Sequence, residues 1–203
     1  MKEPSPVVKR AFDLALAVFA LVLLLPAELF IALAVWASYG SPVLFTSLRV
    51  GRNQVTFKAY KFRTMTNDRN GDGELLPDEE RLRPFGRWLR RTSLDELPQL
   101  LNILLGQMSV VGPRALPTGH LAEMPRSYAR RFDVMPGLTG LTQALYRGSS
   151  RTWDEKYRLD LQYVDTRSLW LDVRIVLMTF VALARRFRFN RRGVSLGTER
   201  HHE

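Results

Sequence analysis

The chain has 203 residues, enough for one domain with a substantial core. Its net charge of +10 indicates an anionic partner, which could be nucleic acid, anionic lipid or a phosphorylated substrate. The absence of cysteine excludes disulfides, thiol nucleophiles and zinc–thiolate sites, and only three histidines argue against a histidine metal site or a serine–histidine triad. Any chemistry must therefore depend on carboxylates, lysines and arginines.

Two apolar runs near the N-terminus, 14–25 and 29–37, are together long enough to cross a bilayer. Pro26 and Glu28 separate them: proline kinks a helix, and a glutamate is costly near the bilayer centre. Lysines and arginines flank both ends, and positive residues mark the cytoplasmic side. These observations favour a helix that enters the membrane, bends at Pro26 and returns to the same face. A straight span and a cleaved signal peptide are the alternatives.

A β-hairpin is predicted after this segment. Residues 43–49 and 55–62 are rich in β-branched and aromatic side chains, and a Gly-Arg-Asn turn lies between them. The polar stretch 66–80 is predicted to be a loop.

This loop contains a possible calcium motif. Residues 68–79 have the spacing of an EF-hand loop, which requires a helix on each side. Here a strand precedes the motif and Pro77 lies inside it. A solvated turn rich in Asp, Asn and Gly is the preferred interpretation, and cation binding is the alternative.

Two adjacent carboxylates, Asp95 and Glu96, begin a short apolar helix predicted over 96–105. Ser93 is a good N-cap, and Glu96 is correctly spaced for a capping box. The free N–H groups of the first turn should lower the pKa of Asp95 and attract phosphate. Such a carboxylate is suited to be a nucleophile or a metal ligand. The alternative is that both residues only stabilise the helix end.

The C-terminal half contains further basic segments. In chain order it has a strand-like run ending in a Gly-Pro-Arg turn (108–114), a cationic helix face (Arg126, Arg130 and Arg131), a loop (136–140) and two helices (153–164 and 169–188). The last helix has a largely apolar first part and a basic end, as expected for the membrane interface, and an ordinary core helix is the alternative.

Five segments in order carry a family resemblance: Lys-Arg-Ala-Phe-Asp (9–13), Tyr-Lys-Phe-Arg-Thr-Met (60–65), Thr-Ser-Leu-Asp-Glu-Leu-Pro-Gln (92–99), Val-Gly-Pro-Arg (111–114) and Pro-Gly-Leu-Thr-Gly (136–140). This set resembles the bacterial sugar transferases called monotopic phosphoglycosyl transferases, in their minimal catalytic form. The resemblance implies transfer of a sugar-1-phosphate from a UDP-sugar to undecaprenyl phosphate, with release of UMP and a requirement for Mg²⁺. It also implies a location at the cytoplasmic face of the bacterial inner membrane.

The resemblance assigns roles to individual residues. Asp95 would be the nucleophile that forms a covalent phosphosugar intermediate and would contact the metal, with Glu96 as its partner. Arg114 would bind phosphate, for which its forked donors are suited. The weaker candidates for the same anionic site are Lys61, Arg90 and Arg147, whose alternative is a role as solvated surface cations.

The chain departs from the family pattern at two places. Ala115 replaces the usual proline after the Gly-Pro-Arg turn. Leu141 and residues 145–148 replace the tryptophan and Asn-Gly pair that usually follow the Pro-Gly-Leu-Thr-Gly segment. If that segment contacts the sugar, the identity of the sugar cannot be inferred from relatives.

The expected fold is mixed α/β and mostly helical, in a membrane-embedded monotopic domain. It comprises a kinked re-entrant helix (1–40), a catalytic part with a small hairpin and interfacial amphipathic helices (41–190), and a basic, polar tail (191–203). The expected partners are a UDP-sugar, undecaprenyl phosphate and anionic lipids, without nucleic acid and with the oligomeric state open. The competing functions are a membrane-anchored nucleic-acid-binding protein and a non-enzymatic scaffold.

Overall fold

A computed structural model describes residues 4–146 and 152–190, with side chains up to residue 184. The helices are α1 (Pro6–Tyr39), α2 (Asp78–Arg81), α3 (Pro84–Thr92), α4 (Gln99–Leu104), α5 (His120–Glu123), α6 (Leu141–Tyr146), α7 (Trp153–Thr166) and α8 (Leu169–Asn190). The strands are β1 (Leu44–Val50), β2 (Thr56–Phe62), β3 (Ser109–Val111), β4 (Leu116–Pro117) and β5 (Gly137–Thr139). Short 3₁₀ turns cover Arg52–Gln54, Leu94–Glu96 and Arg126–Phe132. The prediction of a mixed, mostly helical fold is confirmed, while the tail 191–203 lies outside the described residues.

The predicted hairpin is confirmed as β1 and β2, which pair antiparallel, with β4 on the other edge of β1. Phe45 lies opposite Lys61, and Arg49 lies opposite Phe57. Because alternate residues of a strand share a face, these four side chains lie on the same side of the hairpin.

The Pro-Gly-Leu-Thr-Gly segment was expected to be a loop, but its centre forms β5, which pairs parallel with β3. A Cβ on Gly137 would lie 2.1 Å from the backbone nitrogen of Gly112, and one on Gly112 would lie 2.3 Å from the carbonyl oxygen of Met135. Side chains cannot be accommodated at this approach. The two glycine-containing segments therefore pack backbone against backbone, and the turn that carries Arg114 is fixed by this contact.

The loop after β2 does not have the architecture of an EF-hand. A strand precedes it, and the short helix α2 follows. Asn70 Oδ1 accepts hydrogen bonds from the amides of Asp72 and Glu74, and Asp68 accepts one from Thr66 at 2.7 Å. These contacts are those of an Asx-type turn, as preferred from the sequence.

The helix α1 has 34 residues and is apolar enough to cross a membrane by length and composition. Near its start, Ala17 packs with Leu100 of α4; near its end, Val35 packs with Leu89 of α3. Large apolar side chains between these contacts are exposed: Val18, Phe19, Val22, Leu23, Leu25, Leu29 and Phe30. Pro26 lies inside the helix, and the bend expected there stays a prediction.

Polar contacts also attach the first turns of α1 to the rest of the chain. Lys9 Nζ bridges Asp13 at 2.8 Å and Asp172 of α8 at 2.9 Å. Asp13 also accepts from the hydroxyl of Ser109 at 3.0 Å, and Tyr163 donates to Asp172 at 2.8 Å. A cavity of about 280 Å³ borders this network rather than the carboxylate pair. Since these polar groups satisfy one another, the network holds α1 against β3 and α8.

Candidate active site

Asp95 and Glu96 lie in a 3₁₀ turn between α3 and α4, and the predicted capping box is absent. Ser93 has φ 60°, in the left-handed region, and its side chain makes no capping hydrogen bond. The helix α4 begins only at Gln99. The prediction that Ser93 caps a helix beginning with the carboxylates was therefore wrong.

Glu96 is buried between two cations instead of capping a helix. Its Oε1 accepts hydrogen bonds from Lys61 Nζ at 2.8 Å and from Arg114 Nη2 at 2.7 Å. Burial alone would raise the pKa of Glu96, but Arg114 and Lys61 outweigh it and hold the pKa at about 2. The structure thus brings three predicted site residues together through one carboxylate oxygen.

Asp95 is buried beside this cluster, and its carboxylate has no hydrogen-bond partner among the residues that the structure describes. Burial, followed by the negative charge of Glu96, raises its pKa to about 6, against the opposing effect of Lys61, Arg90 and Arg114. The expectation of a lowered pKa was wrong, because desolvation dominates and no helix N-terminus compensates for it. At pH 7 a carboxyl with this pKa is still about 90% ionised.

Arg90 reaches the same site from α3. Its Nε donates to Thr64 Oγ1 at 2.9 Å, and its charge acts on Asp95. The close packing of α3 on the segment after β2 requires Gly86, where a Cβ would lie 1.9 Å from the carbonyl oxygen of Thr64. Arg147, the remaining candidate, lies outside the described residues.

Two buried side chains position the site, and sequence reasoning missed both. Asn102 of α4 accepts from the amide of Tyr60 at 3.0 Å and donates to the carbonyl of Lys58 at 2.8 Å, which joins α4 to the free edge of β2. Arg131 donates to the carbonyl of Arg114 at 2.8 Å and pairs with Asp160 at 2.7 Å. Arg131 was predicted to lie on a cationic helix face, but it is buried and paired with Asp160.

A further cation, Arg49, borders the cluster and was not among the predicted site residues. It lies on the hairpin face that carries Lys61, and it lines a cleft with Glu96 and Arg114. Burial, and then the charge of Arg114, lowers the pKa of Arg49. The signal was present in the alternation of the hairpin, which places positions 45, 47 and 49 on the face of position 61.

The cluster therefore combines a free carboxylate with cations in excess of acids. Lys61, Arg90, Arg114 and Arg49 outnumber Asp95 and Glu96. Such a site attracts a polyanion, and Asp95 can act on it as a nucleophile. Among the described residues no group of three or more His, Cys, Asp or Glu side chains could enclose a metal ion.

A family profile described as Bacterial sugar transferase matches residues 4–186. The chain is 45% identical over 173 residues to an uncharacterized sugar transferase, EpsL, of Bacillus subtilis, covering 85% of each chain. It is 41% identical to the exopolysaccharide production protein PSS of Rhizobium leguminosarum, covering 87% of this chain and 94% of that one. It is 38% identical to a UDP-glucose:undecaprenyl-phosphate glucose-1-phosphate transferase of Escherichia coli, of which it covers 39%, against 84% of its own length.

The chain belongs to the bacterial sugar transferase family. The family resemblance carried by the five motifs is thereby confirmed. Family membership also selects an enzyme, a transferase, over the nucleic-acid-binding and scaffold alternatives.

Proposed function

We propose that this protein transfers a sugar-1-phosphate from a UDP-sugar to undecaprenyl phosphate, with release of UMP, as the first membrane step of glycan assembly. The observation that carries the proposal is the pairing of an unpartnered, buried carboxylate, Asp95, with a cationic cluster organised on Glu96. The cluster suits a diphosphate, and relatives include transferases named for UDP-glucose and undecaprenyl phosphate.

The proposed reaction has two displacements at one phosphorus. A carboxylate oxygen of Asp95 attacks the phosphorus that bears the sugar, and the bond from that phosphorus to the bridging oxygen breaks. The bridging oxygen leaves with the electron pair as part of UMP. An oxygen of undecaprenyl phosphate then attacks the aspartyl phosphosugar, and the carboxylate of Asp95 is released unchanged.

The residues of the site have different roles in the proposed reaction. Asp95 is ionised at neutral pH, and a carboxylate with a pKa near 6 is more basic than an exposed one, which favours attack. Glu96 stays ionised and fixes the ammonium of Lys61 and the guanidinium of Arg114. These cations would stabilise the charge of the phosphates in the transition state.

The residues present fit Mg²⁺ in its usual mode. Mg²⁺ is commonly held by one or two carboxylates together with water and substrate phosphates, rather than by a cage of protein ligands. The unpartnered carboxylate of Asp95 suits this mode, and we assign it as the residue that would hold the ion with the diphosphate. When bound, the ion would neutralise charge on the phosphates.

We further propose a monotopic arrangement at the cytoplasmic face of the bacterial inner membrane, with segment 1–40 and the catalytic part 41–190 working as one domain. The two ends of α1 both pack on the catalytic part, through α4 and α3. A spanning helix would instead place one end on the other side of the bilayer. The exposed apolar middle of α1 would contact lipid. The exposed apolar side chains of α8 would do the same: Trp170, Leu177, Phe180 and Val181.

The test is UMP release by the purified protein from a panel of UDP-sugars, with and without undecaprenyl phosphate. We expect release of UMP and formation of a lipid-linked phosphosugar from at least one donor. The Asp95→Asn variant should release none, whereas Asp72→Asn, which alters an exposed loop carboxylate, should behave as wild type. Release of sugar together with UDP, rather than UMP, would overturn the proposal.

A further inference from the structure

We propose that Arg49 binds the phosphate that leaves with the nucleotide, and so completes the diphosphate site on the side remote from Asp95. This inference rests on the proposed function. It adds to the site a residue that neither the motifs nor the family comparison singled out.

The hairpin register places Arg49 at the far end of the site from Lys61. Both residues lie on the same face, but Arg49 is opposite Phe57, four positions along β2 from Lys61. At about 3.3 Å per residue their backbones are about 13 Å apart. The small side chain of Ala59 lies between them on this face and lines the same cleft, so two long cationic side chains can converge over it.

Arg49 has no acidic partner in the described part of the chain. Its Nε donates to Ser47 Oγ at 3.2 Å and its Nη1 to the carbonyl of Ala115 at 3.4 Å, both neutral acceptors. Lys61 and Arg114 instead share the carboxylate of Glu96. Arg49 is therefore a half-buried guanidinium with weak partners next to another guanidinium, a state that an anion bound to both would stabilise.

Contacts and the lining of the cleft indicate the order of the cations along the site. Lys61 and Arg114 both contact Glu96, the sequence neighbour of Asp95. Arg49 lines a cleft with Glu96 and Arg114, and Asp95 is not among the residues that line this cleft. In an in-line displacement the leaving oxygen lies opposite the attacking one. A diphosphate attacked by Asp95 would therefore present its leaving phosphate towards Arg49.

This placement matches the change in charge during the first displacement. The leaving phosphate carries one negative charge as a diester-like phosphate in the UDP-sugar and approaches two in free UMP. A guanidinium that contacts it stabilises the leaving group more than the substrate, which accelerates bond cleavage.

The test compares UMP with uridine as ligands of the full-length protein in detergent, measured by isothermal titration calorimetry. Arg49→Met should weaken UMP binding by about tenfold or more, the usual cost of one charge-assisted hydrogen bond, and leave uridine binding unchanged. Arg49→Lys should recover part of the loss. The matched control is Arg52→Met, on the exposed turn of the same hairpin, which should bind both ligands as wild type does.

Equal binding of UMP by wild type and Arg49→Met would overturn the inference, as would parallel losses for UMP and uridine, which indicate a general disturbance of the cleft. If Arg49→Met does not fold, Arg49→Lys is compared with wild type instead, and a smaller loss of UMP binding with unchanged uridine binding is expected. The two proposals fail separately. If UMP binding depends on Arg49 but no UDP-sugar is turned over, only the proposed function is contradicted. If turnover is normal and Arg49→Met leaves UMP binding unaffected, only the role of Arg49 is contradicted.

Discussion

Replacement of Asp95 by asparagine should inactivate the protein and also stabilise it, in a way that depends on pH. The carboxyl has an ordinary pKa of 3.8 and a pKa of about 6 in the folded protein, because burial penalises its charge. Below about pH 3 it is mostly protonated in both the folded and the unfolded states. Between pH 4 and pH 6 the unfolded chain releases a proton that the folded protein retains, and the free energy of unfolding falls.

The size of this fall follows from the two pKa values. Each pKa unit corresponds to about 1.4 kcal/mol, so wild type should lose about 3 kcal/mol of stability in total between about pH 3 and about pH 7, of which about 2 kcal/mol is lost between pH 4 and pH 6. Asparagine cannot ionise. The stability of Asp95→Asn relative to wild type should therefore rise by about 2 kcal/mol between pH 4 and pH 6, or by about 4–8 °C in midpoint for a chain of this length.

Thermal unfolding in detergent, followed by circular dichroism at several pH values, measures this difference. Asp72→Asn removes one negative charge from an exposed loop and controls for the change in net charge. A difference between Asp95→Asn and wild type that stays constant from pH 4 to pH 8, or decreases, would refute the assignment of Asp95 as a desolvated carboxyl.

Three further predictions concern activity and topology. The rate of UMP formation from UDP-sugar alone should increase with pH through about 6 and then level off, since Asp95 must be ionised to attack. Omitting the lipid acceptor avoids titration of its phosphate. A rate independent of pH between 5 and 8 would contradict this prediction. Arg114→Lys should raise the KM for UDP-sugar, because a point charge cannot reproduce forked donors, and an unchanged KM would argue against a diphosphate contact. Single cysteines at Ser5 and Asn53 should react alike with an impermeant thiol reagent in oriented vesicles, because both ends of the helix are expected on one face. Adding Pro26→Leu should favour a spanning helix, so that only one of the two cysteines is labelled. Labelling of only one cysteine in the protein that retains Pro26 would establish a spanning helix.

Local patterns predicted much of the fold and part of the site. The hairpin and the helices α7 and α8 follow from alternation and apolar periodicity, which depend on neighbouring residues only. The motifs placed Asp95, Glu96, Lys61 and Arg114 in one site, and the structure brings these four together.

The predictions that were wrong concern positions whose environment is set by residues distant in sequence. The capping box at Ser93 satisfied a local rule, but Glu96 is instead bound by cations 35 and 18 residues away in sequence. Burial of Asp95 reverses the direction of its pKa shift, and burial is a property of the folded chain. The burial of Arg131 was not predicted, because its partner, Asp160, lies 29 residues further on.

The most direct test of the covalent mechanism is the intact mass of the protein after incubation with its UDP-sugar donor and no lipid acceptor. Mass should increase by one phosphosugar, and peptide mapping should place the addition on Asp95; added undecaprenyl phosphate should then remove it. Asp95→Asn should show no increase. Normal turnover without any adduct, or an adduct that persists in Asp95→Asn, would contradict the role of Asp95 as the nucleophile.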